Sequence, residues 1–470
     1  MVLLIGHPEG HHAERSYILD VLFHDFLGLD YVAAPHQDPF VTIRLSDDDV
    51  GKRLDIAEVF FSKPQSEWLT EDSLPRRPLE RWTAPAKSVL SVSLEGAQVP
   101  VIYGAAKEGE LFTCSEGTSY LGIDVLGSAF FMLTQYQEAV SRERDDFDRF
   151  PASASLAFQE GFLQRPIVNE YLEILWAVMR RMWPGLKRKA RTYRVFLSHD
   201  MDEVSLLGRS WPSVIRSLAA DLLLRREGRL ALQRLRAFAK TRATRKPVAG
   251  DPYNTFDFIM ATSERFELRD TFNFVAAESK HRLDPRYDLR QPWIRGLIKR
   301  IYNRGHGIGL HPSINTYKDA ALIMREYQRL RRVCAEENVT QETWGGRQHY
   351  LRWANPTTWQ SWEAAGLDYD SSLGYAQHVG FRCGCCYEYP VMNLQTGQRL
   401  RLRERPLVAM ESSLLSYMGC SLRAAERWLR DLIATCRRYD GDFSLLWHNH
   451  MLVADAAKKT YSQVVAAAAP

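Results

Sequence analysis

Three short apolar runs of the sequence each end abruptly in residues that can titrate or bind a metal. They are residues 195–202 (VFLSHDMD), 308–311 (IGLH) and 445–448 (LLWH). Parallel strands that are buried on both faces carry continuous apolar runs, and in α/β barrels the functional site lies at the C-terminal ends of the strands. The three segments are therefore predicted to converge on one site. The alternative for each histidine is that it caps its strand or satisfies a nearby backbone carbonyl.

Asp200 and Asp202 are the most informative pair, because only Met201 separates them. In an extended segment both carboxylates would point to the same face. Two carboxylates so close raise each other's pKa unless a cation lies between them or one of them acts as a base. A divalent metal resolves this conflict, since Asp oxygen and His nitrogen are ordinary zinc ligands and an open position can hold an activated water. A solvated turn with two acids is the alternative interpretation.

The elements that must position these residues follow from the pattern after residue 194, where strand-like runs alternate with helices. This alternation argues for a parallel α/β sheet or barrel. The span from Arg194 to His450 matches the length of about 250 residues that is typical of one such barrel. Helix caps are predicted at Asn355, Asp319 and Ser421.

The first 190 residues have a different pattern. β-like runs at 41–45, 56–61 and 99–103 follow one helical pattern at 13–27, and turns rich in Pro, Asp and Gly separate them. A long helix is predicted over 167–183, since apolar positions recur at helical spacing and Pro184 disfavours its continuation. We expect an N-terminal α/β or α+β domain of residues 1–190, then a catalytic domain of residues 191–470.

Composition excludes several classes of protein. The formal net charge is +4 over 470 residues, which is too small to indicate a nucleic-acid binder. The seven cysteines favour a reducing compartment over a disulfide framework. No apolar run is long enough for a signal-peptide core or for the ~18 residues that span a bilayer. We therefore expect a soluble, cytoplasmic protein.

Four segments resemble, in content and in order, the successive motifs of the polysaccharide deacetylase family of carbohydrate esterases. These segments are residues 198–202, 305–313, 346–350 and 445–449. Residues 150–155 and 369–375 are similar to the bacterial subgroup linked to capsule and lipopolysaccharide synthesis, which has an additional N-terminal domain. The resemblance implies a distorted (β/α)7 barrel, one divalent metal ion that is often zinc, and hydrolysis of the N-acetyl group of an amino sugar.

The resemblance also implies roles for individual residues. Asp200 falls on the catalytic base, and Asp202 and His311 fall on metal ligands. Arg347 falls on the arginine that orients the base, and His448 falls on the catalytic acid. The backbone amide of Tyr350 falls on an oxyanion donor.

The sequence departs from the family pattern at two places. Met201 separates two acids that are adjacent in the family, so Asp202 can bind the metal only if the loop after the strand bends differently. Asn315 stands where the second metal-binding histidine is expected, and an amide is a poor zinc ligand. His349 could supply the missing nitrogen, with His199 and His306 as weaker candidates. If none of them does, the protein binds metal weakly or is a degenerate relative.

Substrate contacts are expected from residues within the motif-bearing segments. Aromatic rings could stack on a sugar, and a guanidinium group could hold a charged substituent. The residues concerned are Tyr350, Tyr375, Arg382 and Trp447. The alternative, of equal weight, is that they belong to the core.

A basic amphipathic segment lies within an insertion at about residues 205–250. Between Arg225 and Lys246 there are nine Lys or Arg residues and one acid, interleaved with four large apolar residues. Such a segment could lie on an anionic membrane surface or recruit a negatively charged carrier, such as a lipid diphosphate sugar. A solvated helix at the periphery of the barrel is the alternative.

These observations lead to a functional hypothesis. We expect a metal-dependent hydrolase that removes an N-acetyl or other N-acyl group from an amino sugar during synthesis of a cell-surface polysaccharide such as lipopolysaccharide. Without an export signal, it should act on a precursor linked to a nucleotide or lipid carrier. The alternatives are another metal-dependent amide or ester hydrolase of the same fold, and an inactive sugar-binding or scaffold protein.

Overall fold

The computed structural model describes residues 1–47, 51–86, 89–115, 117–223, 226–244, 247–248, 250–277 and 281–470. A mixed sheet with helices forms the first part of the chain. Its elements are β1 (Leu3–His7), α1 (His12–Leu19), β2 (Tyr31–Pro35), β3 (Phe40–Leu45), β4 (Arg53–Ala57), β5 (Glu80–Thr83), β6 (Gln98–Val101), β7 (Phe112–Cys114), β8 (Thr118–Leu121), α2 (Val125–Leu133), α3 (Tyr136–Val140), α4 (Leu156–Gln159) and α5 (Ile167–Met182).

The first sheet has six strands in the order β2-β1-β3-β4-β8-β7. The pairs β1–β2 and β4–β8 are parallel, and the other neighbours are antiparallel. The predicted helix over 13–27 begins as α1 and continues as a π-helical stretch, Asp20–Leu27. The strand predicted over 56–61 ends at Ala57, because the Asp124 carboxylate accepts hydrogen bonds from the backbone N–H groups of Val59 and Phe60, both at 2.8 Å.

A second, larger sheet forms in the remainder of the chain. Its elements and the helices around it are β9 (Arg194–Asp200), α6 (Trp211–Leu223), α7 (Gly228–Thr244), α8 (Phe256–Glu264), β10 (Asp270–Phe274), α9 (Pro292–Asn303), β11 (Gly307–Leu310), α10 (Ala320–Glu336), β12 (Gly345–Gly346), α11 (Thr357–Ala365), β13 (Tyr369–Asp370), β14 (Tyr389–Asn393), β15 (Gln398–Glu404), β16 (Ala409–Met410), α12 (Leu422–Arg438), β17 (Asp442–Leu446) and α13 (Asp455–Ala468).

This sheet has nine strands in the order β14-β15-β13-β12-β11-β10-β9-β17-β16. Every neighbouring pair is parallel except β14–β15. The mixed α/β class is therefore as expected, but the sheet curls into a half-barrel. Its edge strands β14 and β16 do not pair with each other in the described part of the chain, and the distorted (β/α)7 barrel expected from the resemblance stays a prediction.

The first part of the chain packs against the β14–β15 edge of this sheet. The Arg399 guanidinium on β15 binds Asp20 at 3.0 Å and Asp25 at 2.8 Å. The Tyr17 hydroxyl donates to the Pro390 carbonyl on β14 at 2.9 Å. The π-helical stretch and α1 thus contact this antiparallel edge of the sheet.

Two of the three predicted helix caps are confirmed. The Asp319 carboxylate accepts from the Leu322 N–H at 2.9 Å, and the Ser421 hydroxyl accepts from the Ala424 N–H at 3.3 Å. The prediction for Asn355 is wrong. Its amide instead donates to two carbonyl oxygens at the end of α2, and α11 begins only after Pro356.

The predicted basic insertion forms the hairpin of α6 and α7. Arg234 on α7 is buried and binds the buried Asp221 on α6, with its Nε 2.7 Å from the carboxylate, and this ion pair joins the two helices. Arg225, Arg245 and Lys246 of the predicted segment lie outside the described residues. Within the described residues, no helix is both long and apolar enough to cross a membrane.

A buried carboxyl group on α10 makes the stability of this fold depend on pH. Glu326 accepts hydrogen bonds from the backbone N–H of Ser313, at 2.8 Å, and from its hydroxyl, and so fixes the loop after β11. Burial raises the pKa of Glu326 to about 7, although the bonds from Ser313 oppose this shift. A carboxyl group with a raised pKa stabilises the fold below its unfolded pKa, and this stability is lost as the pH rises through about 7.

We predict that Glu326→Gln removes part of the pH dependence of the free energy of unfolding. Between pH 4.5 and pH 8 the wild type should lose about 3 kcal/mol relative to the variant, because the buried group must ionise in the folded protein. Urea denaturation across this range measures the difference. Glu336→Gln, at a more exposed carboxyl on the same helix, is the control and should track the wild type. Parallel curves for wild type and Glu326→Gln would contradict the prediction.

Candidate active site

The parallel strands place the chemically active residues at one rim of the curled sheet. β9 ends at Asp200, and His311, Arg347 and His448 follow β11, β12 and β17 directly or after one residue. Gly346 permits the close approach of β12 to β11, because a Cβ atom there would lie 1.8 Å from the Leu310 carbonyl oxygen. The predicted convergence of the three segments on one rim is therefore present in the structure.

Asp202, His311 and His349 form a group that could hold a metal ion. Asp202 Oδ1 lies 3.2 Å from His311 Nε2 and 3.4 Å from His349 Nε2. One ligand atom from each residue lies within 4.8 Å of the other two. Met201 is buried in the core and its N–H donates to the Asn273 carbonyl, so the strand alternation continues and places Asp200 and Asp202 on the same cavity wall.

The donor set suits a divalent cation. His311 Nδ1 lies 2.6 Å from the Arg347 carbonyl oxygen, and His349 Nδ1 lies 3.1 Å from the Asp284 carboxylate. With Nδ1 facing these acceptors, each Nε2 faces Asp202 and can bind a metal when it carries no proton. Asp202 Oδ1 is buried and has no hydrogen-bond partner among the described residues. Two imidazole nitrogens and one carboxylate oxygen directed at one point are an ordinary ligand set for a divalent cation, which agrees with the expected ligands.

Asp200 is held by neutral and cationic donors on one of its two oxygens. Its Oδ1 accepts from Asn273 Nδ2 at 2.7 Å and from Arg347 Nη1 at 3.1 Å. Burial raises the pKa of the Asp200 carboxyl, but the charges of His311 and Arg347 outweigh burial and leave the pKa below its usual value. Arg347 therefore stands where the resemblance placed it, beside the expected base.

His448 lies on the other side of Asp202. Its Nε2 is 3.4 Å from Asp202 Oδ2, and its Nδ1 is 2.7 Å from the buried Glu411 carboxylate. Burial lowers the pKa of His448, but Glu411 and Asp202 more than offset this and raise it well above its usual value. In the same way, burial raises the pKa of Asp202, and the neighbouring histidines hold it well below the usual range.

The weaker ligand candidates lie elsewhere. His199 and His306 contact the two oxygens of the buried Asp270, at 3.3 and 3.2 Å, and form a separate buried cluster. The Asn315 side chain accepts from Arg352 at 3.2 Å. None of these three residues lines a cavity that contains Asp202. His349 is the histidine that meets Asp202 and His311.

The four expected substrate-binding residues separate into two groups. Two adjoining cavities, of about 180 and 400 Å³, lie at the site, and Tyr350 lines both of them. Its backbone is left-handed, with a φ of 60°. The other three are buried and line neither cavity. Trp447 packs edge-on against Tyr461, and Arg382 forms a buried ion pair with Glu138, with Tyr375 over its guanidinium. For these three, the structure corrects the expectation in favour of the core alternative.

Several residues of the site were not predicted from the sequence. Glu411 anchors His448, and Asp284 anchors His349. Asn273 anchors Asp200, the expected base. His450 lines both cavities, and burial together with the charge of His448 lowers its pKa to about 4. Glu411 could have been predicted from the sequence, because it directly follows the apolar run 407–410, just as Asp200 ends its own strand. Asp284 lies in a loop, and no pattern in the sequence indicated its role.

Two adjoining cavities give the site its shape. A cavity of about 180 Å³ is lined by Asp200, Asp202, His311, His349 and His448, with the half-exposed Tyr417 also on its wall. A second cavity, of about 400 Å³, shares Asp202, His349, Tyr350 and His450 with the first and extends towards α6.

Comparison with known proteins gives limited likenesses. Residues 3–184 match the family described as "Family of unknown function (DUF7033)". No curated protein matches the chain. Among solved structures, the fold is similar to Puue allantoinase, with 13% identity over 60% of this chain and 85% of the other, at a TM-score of 0.37. It is likewise similar to a probable polysaccharide deacetylase from Pseudomonas aeruginosa PAO1, with 12% identity over 66% and 90% of the chains and a TM-score of 0.37.

We predict that the full-length protein binds one zinc ion through this group. His311→Ala and His349→Ala should lose the ion, because each removes a nitrogen donor. Asp284→Asn should weaken binding by about 10–100-fold, since it frees the His349 ring from its anchor. Asp200→Asn should retain the ion. Isothermal titration with zinc measures each affinity.

His12→Ala, at an exposed histidine far along the chain from the site, is the matched control and should bind zinc as the wild type does. Zinc binding that survives both His311→Ala and His349→Ala would contradict the assignment of these ligands.

Proposed function

We propose that this protein is a metal-dependent hydrolase that removes an N-acyl group, in the first place N-acetyl, from an amino sugar used in cell-surface polysaccharide synthesis. One observation carries the proposal. Asp202, His311 and His349 direct donor atoms at one point, and Asp200 and His448, each held by its own anchor, line the same small cavity. A bound divalent metal would polarise the acyl carbonyl and lower the pKa of a water molecule.

Asp200 is the group that removes a proton from the attacking water. Both of its anchors, Arg347 and Asn273, donate to Oδ1, so Oδ2 remains to accept the proton. The two anchors also fix the carboxylate in one orientation, which general-base catalysis requires.

His448 is the group that protonates the departing nitrogen. Glu411 accepts a hydrogen bond from Nδ1 and so directs Nε2 towards the cavity and Asp202. Asp200 and His448 both line the small cavity that contains Asp202, so a base and an acid lie within one space, which proton removal followed by proton delivery needs. The backbone N–H of Tyr350 is the proposed oxyanion donor, and Arg149 holds this residue by donating to the Tyr350 carbonyl at 2.9 Å.

Two alternatives differ from this proposal in measurable ways. Another amide or ester hydrolase would bind the metal but release no acetate from N-acetylated sugars. An inactive sugar-binding or scaffold protein would have no hydrolase activity, and a failure to bind metal would favour it. The complete set of anchored donors at Asp202 supports the hydrolases over the scaffold.

We predict that the zinc-loaded protein releases acetate from N-acetylglucosamine linked to a nucleotide or to a polyprenyl diphosphate. Asp200→Asn and His448→Ala should each reduce kcat by about 10²–10⁴-fold, the usual contribution of a general acid or base. Asp455→Asn, at a fully exposed carboxylate, should leave kcat unchanged. Turnover that survives Asp200→Asn would contradict the role of the base, and acetate release from neither substrate would favour another acyl substrate.

The α6–α7 hairpin is the proposed contact with an anionic membrane surface, at which a cytoplasmic enzyme would meet a lipid-linked substrate. Trp211, Ile215 and Leu222 recur at helical spacing on α6 and are 51%, 58% and 54% exposed. Leu232 and Leu235 on α7 are also exposed. Basic side chains lie among them, namely Arg216, Arg226, Arg229, Arg236, Lys240 and Arg242. Exposed apolar residues with interspersed positive charges are typical of helices that lie on anionic lipid.

We predict that the protein sediments with vesicles that contain phosphatidylglycerol and not with vesicles of phosphatidylcholine alone. The triple variant Trp211→Ser, Ile215→Ser, Leu222→Ser should bind at least about tenfold more weakly, since each buried apolar side chain contributes about 1.5–3 kcal/mol. Met324→Ser, at an exposed apolar residue of α10, is the control. Equal binding to both vesicle types would contradict the membrane contact and favour a solvated hairpin.

A further inference from the structure

The larger cavity at the site has a wall that the proposed chemistry does not use. One side of this cavity of about 400 Å³ is formed by Asp202 and His349 of the proposed metal group. Another part of its lining contains Arg209, Arg282 and Arg286. The cavity therefore joins the reacting centre to a group of guanidinium side chains.

Two of these arginines carry charges that no described residue neutralises. Arg209 is bound to Glu203 at 2.9 Å. Arg282 and Arg286 are exposed, and neither forms an ion pair with any residue that the structure describes. The three acids that line the cavity are already engaged, since Asp202 belongs to the proposed metal group, Asp284 contacts His349 and Glu203 contacts Arg209. The cavity wall thus has two positive charges available to a ligand.

The N-terminus of α6 also lies at this wall, and its partial positive charge adds to that of the arginines. Ser210 and Ser213 line the cavity, and they flank the first turn of a helix of 13 residues. The free N–H groups and the dipole of a helix N-terminus favour an anion. Guanidinium groups bind phosphate oxygens in bidentate geometry. Arginine side chains and a helix start on one wall suit a phosphate or diphosphate group better than a neutral sugar.

We propose that Arg282 and Arg286 form a subsite for the phosphate or diphosphate group of the substrate, with the acyl amide at Asp202 and His349. This inference rests on the proposed function, because it assigns the substrate class of that same site. It specifies a sugar linked through phosphate, and it leaves the source of the phosphate, a nucleotide or a lipid carrier, to be distinguished by experiment.

The test uses inorganic pyrophosphate and the full-length protein as purified, with binding measured by isothermal titration. The double variant Arg282→Ala, Arg286→Ala should bind pyrophosphate about 100-fold more weakly than the wild type, or about tenfold for each guanidinium group. The double variant Arg282→Lys, Arg286→Lys keeps the charges but not the bidentate geometry and should fall between the two. Malonate, a dicarboxylate with a smaller charge and fewer anionic oxygens, should bind more weakly than pyrophosphate.

The matched control is Arg325→Ala, Arg332→Ala, which removes two exposed arginines of α10 that lie outside the cavity. It should bind pyrophosphate as the wild type does. An equal loss in both Ala double variants, no loss in Arg282→Ala, Arg286→Ala, or equal affinity for malonate would each overturn the proposal.

Competition experiments then identify the source of the phosphate. Displacement of pyrophosphate by uridine-diphosphate-linked N-acetylglucosamine, or by its polyprenyl diphosphate counterpart, supports the subsite and assigns the carrier. Displacement by neither overturns it. These binding readouts do not need turnover, so displacement without acetate release would reject the proposed hydrolysis and retain the subsite, whereas acetate release with unaltered KM in the Ala double variant would do the reverse.

Discussion

The carboxylate of Asp202, surrounded by imidazole nitrogens, is the constraint on which the rest of the site depends. His311 and His349 direct Nε2 at one of its oxygens, and His448 directs Nε2 at the other. Each ring has its Nδ1 tied to a carbonyl or a carboxylate, so the three rings cannot turn away to relieve the crowding. A carboxylate and imidazole nitrogens held in fixed orientation around one point form a ligand set for a divalent cation, which is the physical basis of the proposed metal.

The curled sheet is what allows these anchors to meet. Parallel strands end at one rim, and the curl turns neighbouring strand ends towards a common point rather than along a line. Gly346 lets β12 approach β11 closely enough to place Arg347 beneath Asp200 and to direct His349 towards Asp202. The first part of the chain contacts the β14–β15 edge of this sheet through Asp20 and Asp25, which bind Arg399.

The histidines at the ends of apolar runs were predictable because each occupies a position that strand geometry fixes. The same logic, applied to the run before Glu411, would have identified the anchor of His448. Asp284 could not be predicted, since its contact with His349 joins residues 65 positions apart through a loop without a regular pattern. Trp447 and Arg382 were misassigned for a related reason. An aromatic or guanidinium group near a motif can serve the core equally well, and only burial and the partner Glu138 distinguish the two uses.

By itself, the sequence determined the alternation of strands and helices, the Asp200–Asp202 pair on one face, and His311 and His448 at strand ends, because these properties depend on local periodicity. Only the tertiary structure decided that His349 rather than His199, His306 or Asn315 meets Asp202, that the sheet remains an open half-barrel, and that Arg282 and Arg286 share a cavity with the candidate metal group. Those features depend on which distant segments pack together, and pairing across many residues is fixed by the whole core rather than by any short stretch of the chain.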